Sequence, residues 1–452
     1  MKRLFYTLLF FLPCMLIACG GSDDTPDGDN NPPVVAPPSE EPVDSRLLYN
    51  GIRLPEQWPP VRSSSSELEK GMSPFYLSDK PSVINISVGR QLFVDNFLIE
   101  STNLKRTFYY PEYYSGNPIL TPEQDWEKTG TKGAAFAAPF SDGVWYDEKE
   151  GKYKMWYMAG GGSYATSGAG VTCYAESTDG IHWTKPTLSV VAGTNIVDYN
   201  SERDASVIWL DKQESNASKR YKMFLVARES GKWRYHYKTS PDGKVWRAAV
   251  QSEPIADRST VYKNPFRNVW VYSMRHNVRV DANKLVRARD YNENTDPEAG
   301  TKKAEALLSA FWFGPWANEQ HHTDYPNIAP AIYNQDATPY ESIMLGFFSV
   351  WQGPENDVCA SDNVIKRNQV MVGYSRDGYS WFREDMNPFH AVNTTTSDAW
   401  NQGNLQSVAG APLIVGDKLY FYLSGRRLRG TQEITTTGLA TLRRDGFASM
   451  KG

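Results

Sequence analysis

An all-β fold is predicted for this 452-residue sequence by three observations. The first is a recurring turn. Ser177-Thr178-Asp179-Gly180-Ile181-His182-Trp183 returns as Ser240-Pro241-Asp242-Gly243-Lys244-Val245-Trp246 and Ser375-Arg376-Asp377-Gly378-Tyr379-Ser380-Trp381, with a worn copy at Arg443-Arg444-Asp445-Gly446-Phe447. An Asp-Gly between β-rich runs signals a hairpin, because glycine supplies the positive φ that a tight turn needs. The second is the period. The four aspartates are 63, 135 and 68 residues apart, so the long interval is about two short ones and one copy has decayed near position 310. The third is that the runs between turns are short, aromatic and β-branched, with no helical periodicity. A fixed period marks a unit that must stack on its neighbours to bury its apolar face. The architecture these features predict is a five-bladed β-propeller with an N-terminal strand closing the ring.

The elements follow in order. Met1-Lys2-Arg3 and the apolar run from Leu4 to Ala18 have the charged start and short apolar core of a secretory signal, too short for a spanning helix. Leu16-Ile17-Ala18-Cys19 is similar to the bacterial lipobox, so residues 1–19 are expected to be a lipoprotein signal with Cys19 the lipidated residue. Residues 20–45 read as a disordered tether, rich in Pro and carrying Asp23, Asp24, Asp27, Asp29, Glu40 and Glu41. The expected location is extracytoplasmic, lipid-anchored to a bacterial outer membrane or cell surface, with membrane contact through the anchor only. Residues 46–100 read as a wrapping arm, dense in Pro and Ser over 53–78, with an outer strand over 91–99.

Residues 101–452 hold the blades. The strands expected at 106–110 and 117–120 precede the first full blade and have no partner there, so they are assigned to ring closure. The first blade uses 140–147, 152–158 and 171–176, and the second uses 204–211, 220–227 and 233–238. The third starts at Asp257, turns at 264–268 and returns over 269–274, and its last hairpin is the decayed one. The fourth uses 328–334, 341–350 and 369–374; the fifth uses 407–415, 418–423 and 438–442 and lacks an outer strand.

Composition narrows the partners. With 48 Lys and Arg against 52 Asp and Glu, the net charge is −4, and nucleic acid is excluded as a partner for want of a basic stripe. Beyond the signal only Cys173 and Cys359 remain, too few for a disulfide framework, and either a bridge or free thiols fits them. No cofactor is expected. His321-His322 with Asp324 lacks metal-ligand spacing and reads as a loop edge, while calcium or sodium on channel carboxylates and carbonyls stays open.

If each inner strand starts at one face of the ring, strand starts and second-strand returns meet at one mouth. The starts give Asp142, Arg203, Asp204, Asp257, Arg258, Asp324 and Gln406; the returns give Glu229, Arg275, His276, Trp351, Gln352, Glu355 and Arg426. Several carboxylates at one mouth are what glycoside cleavage requires, one protonated to release the leaving oxygen and one ionised to act on water or carbon. A single aspartate at such a place would as readily cap a turn. The arginines suit carboxylate or sulfate oxygens, which their planar fork binds bidentately, although pairing with the mouth carboxylates would equally account for them.

The runs Gly89-Arg90-Gln91-Leu92-Phe93-Val94-Asp95, Asn117-Pro118-Ile119-Leu120 and Tyr153-Lys154-Met155-Trp156-Tyr157, with the S-x-D-G-x-x-W turns, resemble secreted bacterial proteins related to the five-bladed glycoside hydrolases of families 32, 43, 117 and 130, over roughly 89–446. Arg203-Asp204 is similar to the Arg-Asp of family 32, whose aspartate stabilises the transition state, and Asp142 matches the aspartate that serves there as nucleophile and in family 43 as base. The sequence departs from the pattern in lacking W-M-N-D-P, the E-C acid motif and a C-terminal β-sandwich, so no substrate is carried over.

The expectation is a glycoside hydrolase, exo-acting on a polysaccharide or its oligosaccharides, with an anionic (sulfated or uronate-bearing) glycan favoured. The catalytic set is Asp142 as base or nucleophile, Asp204 as stabiliser, Asp257 as third carboxylate and Glu355 as acid, with Glu341 its rival. Arg203, Arg258, Arg275, His276, Trp351, Gln352, Gln406 and Arg426 are expected to bind substrate. The alternatives are a non-catalytic carbohydrate-binding surface lipoprotein and a phosphorylase-like enzyme.

Overall fold

The computed structural model describes residues 44–63, 71–128, 134–165, 170–281, 284–305, 308–396, 398–430 and 432–452. The signal, Cys19 and the tether up to residue 43 lie outside the described residues. Within them the chain is mostly β, with two short α-helices, α1 (Pro297–Lys303) and α2 (Asn356–Asp362).

The strands form successive antiparallel meanders. The first opens with a broken strand, Ala135–Ala138 and Val144–Asp147, and continues with Lys152–Ala159 and Gly170–Ser177. Ile196–Leu210, Tyr221–Glu229, Lys232–Ser240 and Arg247–Gln251 make the second, and Thr260–Asn264, Val269–Asp281, Lys284–Asn294 and Ala310–Phe313 the third. The fourth is Ala331–Tyr340, Ile343–Gly353 and Arg367–Ser375, and the last is Asn404–Val408 with Leu413–Val415, then Lys418–Arg429 and Gln432–Arg443.

The turn motif is a local hydrogen-bond device, repeated atom for atom. In its first copy Ser177 Oγ accepts from Gly180 N at 2.9 Å, while Asp179 Oδ1 accepts from Ile181 N and His182 N, both at 2.8 Å. Ser240 with Asp242 and Ser375 with Asp377 make the same bonds. Gly180, Gly243 and Gly378 have φ between +74° and +77°, where a side chain is strained. In the worn copy the left-handed residue is Asp445 instead, at φ +60°.

Each turn is also tied to a strand of a different meander. Gly180 O accepts from Tyr422 Oη (2.8 Å), Gly243 O from Trp156 Nε1 (2.6 Å) and Asp377 O from Asn264 Nδ2 (3.3 Å). These ties end in an apolar interior built on aromatic rings. Trp156, Trp270, Trp312 and Trp381 are fully buried in one cluster that runs from the first meander to the fourth. A second cluster joins the fourth meander to the last, and a third joins the last to the first. A buried tryptophan removes roughly 150–250 Å² from water, and at about 25 cal/mol per Å² each such ring contributes roughly 4–6 kcal/mol of transfer free energy.

The strands expected at 106–110 and 117–120 find partners in the C-terminal strands. Lys105–Phe108 pairs antiparallel with Ala448–Lys451, Glu112–Tyr113 pairs with Gln432–Arg443, and Leu120 bridges to Thr437. One expectation is corrected. Residues 91–99 form no strand: Leu92 and Val94 face the second cluster, Phe97 packs with Leu48, Ile52, Leu54 and Tyr76, and buried Asp95 receives the Arg376 guanidinium at 2.8–3.0 Å. The alternating pattern therefore anchors an arm instead of pairing a ladder. Near position 310, where a decayed copy of the turn is expected, the interval holds α1, a turn at Leu308, whose N donates to Glu305 O, and Ala310–Phe313.

Candidate functional site

Of the expected mouth residues, Asp204, Arg258 and Arg426 are joined by shared contacts, and backbone irregularities aim the first two. Along Ile196–Leu210 the register against Tyr221–Glu229 slips between Arg203 and Ser206, a bulge that carries Asp204. Arg258 is left-handed at φ +54°. Asp204 fixes that conformation from both sides, accepting from Arg258 N at 2.7 Å and pairing with its Nη2 at 2.9 Å. The buried Arg289 adds a bond to the Arg258 carbonyl at 2.9 Å.

Around Arg258 the aromatic rings of other meanders close in. Its guanidinium lies 5.5 Å from the ring centres of both Phe140 and Tyr333. Arg426 reaches Phe140 at 5.5 Å and Phe136 at 6.0 Å, and Arg287 reaches Tyr333 at 5.8 Å and Trp351 at 4.8 Å. Lys366 completes the set, 5.4 Å from the Tyr333 ring. Each such contact is worth about 0.5–2 kcal/mol, more where water is excluded. Side chains from every meander thus form one connected surface of faces and charges.

The expected arginines all hold carboxylates. Arg203 meets Asp142 at 2.7 Å, Arg258 meets Asp204, Arg275 meets Asp257 at 2.6 Å, and Arg426 meets Glu433 at 2.9 Å. Lys366 differs, with neutral partners in Tyr333 Oη and Asn356 Oδ1. His276 donates toward Asp290 rather than into the mouth, and that bond raises its pKa.

Asp142 is where the structure departs from expectation. Its side chain has 0 % of its surface exposed and its partner Arg203 only 2 %, with Thr172 Oγ1 on the other guanidinium nitrogen. Burial raises its pKa against the pull of Arg203. A carboxyl without exposed surface cannot touch a substrate in this conformation, so the base or nucleophile role does not fit its placement. Asp204 and Asp257 keep 13 % and 31 % of their side-chain surface.

Glu355 is 58 % exposed, 3.6 Å from Arg287, and stands at the start of α2. Gln352 is buried and bonded to the Gln320 carbonyl and to Gln369, and Gln406 is buried in its strand, so neither amide faces solvent. Trp351 keeps 5 % exposure beneath Arg287. Glu341, the rival acid, lies at the other end of the opening strands, paired with Arg90 at 2.7 Å and accepting from its backbone N–H. A cavity of about 350 Å³ opens at that end, lined by Trp145, Trp209, Lys263, Tyr340 and Glu341. Its acids are engaged in ion pairs, Glu341 with Arg90 and Asp211 with Lys222.

Sequence reasoning missed Phe140, Arg287, Tyr333, Lys366 and Glu433. Arg287 falls in the third strand of the third meander, which was read as decayed, and Tyr333 sits at a register slip that leaves no mark in composition.

No family model matches the sequence, and no curated protein matches it. Similar solved structures include glycoside hydrolases and an N-acetylgalactosamine deacetylase from F. plautii, the latter at 11 % identity, covering 72 % of this chain and 96 % of that one with a TM-score of 0.43. A glycosyl hydrolase from Bacteroides ovatus shares 13 % identity, with 75 % of this chain and 96 % of that one covered and a TM-score of 0.43. A member of the family of mannoside phosphorylases that contains glycoside hydrolases targeting β-1,2 mannosidic linkages in Candida mannan shares 13 %, covering 76 % and 97 % at a TM-score of 0.45. A fructofuranosidase from Schwanniomyces occidentalis shares 13 %, covering 75 % and 60 % at 0.40.

Proposed function

We propose that the meanders are the blades of a five-bladed β-propeller, closed where 105–113 pair with the C-terminal strands, and that its mouth cleaves glycosidic bonds. The observation that carries this reading is the convergence of Asp204, Arg258, Tyr333 and Arg426, from four meanders, around the buried Phe140 of the first. Aromatic faces grip sugar rings and ionisable groups act on the bond between them. The turn ties support the ring, because each joins neighbouring meanders and Gly180 to Tyr422 joins the first to the last.

Asp204, held by Arg258, is the first carboxylate of the site and Asp257 the second. The buried Ser141, Asn334, Asp336 and Ser407 bond to one another in the interior, and exo action on a chain end is part of the proposal. The arginines' existing partners weaken the case for an anionic glycan from those residues and move it to Lys366, whose partners are neutral. The lipobox at Cys19 supports attachment to the outside of a bacterial membrane.

The test is release of reducing sugar from a panel of plant and algal glycans. Asp204→Asn keeps an acceptor for Arg258 and is expected to lower turnover by about 10²–10⁴-fold, with the melting temperature near that of the wild type. Tight binding without release by the wild type would favour a carbohydrate-binding protein instead, and full activity of Asp204→Asn would move the site elsewhere.

A further inference from the structure

Tyr333 stands out of its ladder. Where Ala331–Tyr340 pairs with Ile343–Gly353, Ile332 faces Val350 and Asn334 faces Ser349, so Tyr333 is the extra residue of a bulge. Bulges re-aim side chains, and this one turns a partly exposed ring toward the mouth cations. Lys366 Nζ donates to Tyr333 Oη at 3.4 Å. An ammonium has only protons to give, so this bond uses a lone pair of Oη and leaves the phenolic proton for another acceptor.

Resting on the glycosidase reading above, we propose that Tyr333 is a catalytic residue of this mouth, the general acid that delivers its phenolic proton to the departing glycosidic oxygen. The bond between the anomeric carbon and that oxygen breaks, the electron pair stays on the oxygen, and the Tyr333 proton joins it. Water adds to the anomeric carbon and gives a proton to the Asp204 carboxylate. Proton exchange with solvent then restores the phenol and the carboxylate.

The surroundings suit a phenol that must become phenolate in the transition state. Burial opposes ionisation most; Arg258, Lys366 and Arg426 favour it, Asp204 opposes it, and the outcome is a pKa below the ordinary tyrosine value. Arg287 adds a further cation at 5.8 Å from the ring. Glu355, the acid expected from sequence, is by contrast well solvated and held by Arg287.

The experiment is a leaving-group comparison on Tyr333→Phe, with the methyl and dinitrophenyl glycosides of whichever sugar the panel releases. A proton is needed to expel methanol and hardly needed to expel dinitrophenolate. Tyr333→Phe should lose about 10²–10⁴-fold in kcat on the methyl glycoside and only a few-fold on the dinitrophenyl one, and the basic limb of the pH–rate profile should vanish. Lys366→Gln should move that limb to higher pH. Equal losses on both substrates would reduce Tyr333 to a structural role, and an unaffected rate would remove it from the reaction. If the wild type is silent on every glycan, the glycosidase reading fails and with it the catalytic role. Spectroscopic titration of the phenolate band then tests the phenol on its own: an early-ionising tyrosine present in the wild type and lost in Tyr333→Phe, beside the early step of Tyr109, whose pKa Ser449 and Lys451 lower, upholds its activation, and its absence overturns it.

Discussion

Substituting Asp142 separates a structural ion pair from a catalytic carboxylate. Asp142→Ala leaves the Arg203 guanidinium, 2 % exposed, with Thr172 as its remaining side-chain partner. Removing one member of a buried pair costs about 3–5 kcal/mol, because the stranded charge keeps its desolvation penalty. For a folded body of roughly 400 residues the unfolding entropy is about 0.8 kcal/mol/K, so the melting temperature should fall by roughly 4–6 °C. Asp204→Ala breaks a pair whose members are each 13 % exposed. Solvent screens that pair more, and its loss should cost about 1–2 kcal/mol. Replacing both members, Asp142→Leu with Arg203→Met, should recover most of the loss, since a buried pair is worth little more than well-packed apolar groups. Calorimetry at one fixed scan rate, with urea midpoints alongside, measures all of these. An Asp142→Ala protein that melts within about 1 °C of the wild type yet has lost activity would refute the reasoning and return Asp142 to the role expected from its sequence position.

Two further outcomes are expected. Gly231 and Gly243 share a left-handed backbone (φ +79° and +77°), but a Cβ at Gly231 meets nothing within 4 Å, whereas at Gly243 it would lie 2.3 Å from Trp156 Cζ2. Alanine at either should cost about 1–2 kcal/mol for the backbone, and Gly243→Ala a further 1–3 kcal/mol for overpacking, read from urea midpoints. Burial raises the Asp336 pKa from 3.8 to about 7, so the folded state holds this proton more tightly than the unfolded state does. Its contribution to stability is present at low pH and is lost as pH rises from about 4 to about 7, by roughly 4 kcal/mol across the window. Stability measured against pH should show this decline relative to Asp336→Asn, and parallel curves for the two proteins would exclude it.

Much of the fold was legible because hairpin chemistry is local. Ser177, Asp179 and Gly180 bond within four residues, so their pattern survives in the sequence wherever the turn survives in space. The arm over 91–99 was misread for the converse reason. Leu92, Val94 and Phe97 alternate as a strand would, but their partners lie in distant segments and Asp95 answers Arg376, 281 residues away. At the site, Asp204 and Arg258 were legible as a strand start and its neighbour. Tyr333 was not, because a one-residue bulge changes direction without changing composition, and neither was the burial of Asp142, which depends on Arg203 and Thr172 packing over it.

The pairing of Lys105–Phe108 with Ala448–Lys451 has a kinetic consequence. Lys105 opposes Lys451, so the first of these strands must wait for almost the whole intervening chain before it can form its ladder. Loop-closure entropy grows only with the logarithm of length, and the wait costs little stability. It costs time, because contacts so remote in sequence form late and slow the overall rate. Until the two meet, the Gln432–Arg443 strand lacks Glu112–Tyr113 at its side. An unpaired edge of this kind can recruit another chain, so refolding yield should fall as protein concentration rises. A break in the backbone placed between the paired ends, inside one of the meanders, should be tolerated less well than a new start and end created by joining them.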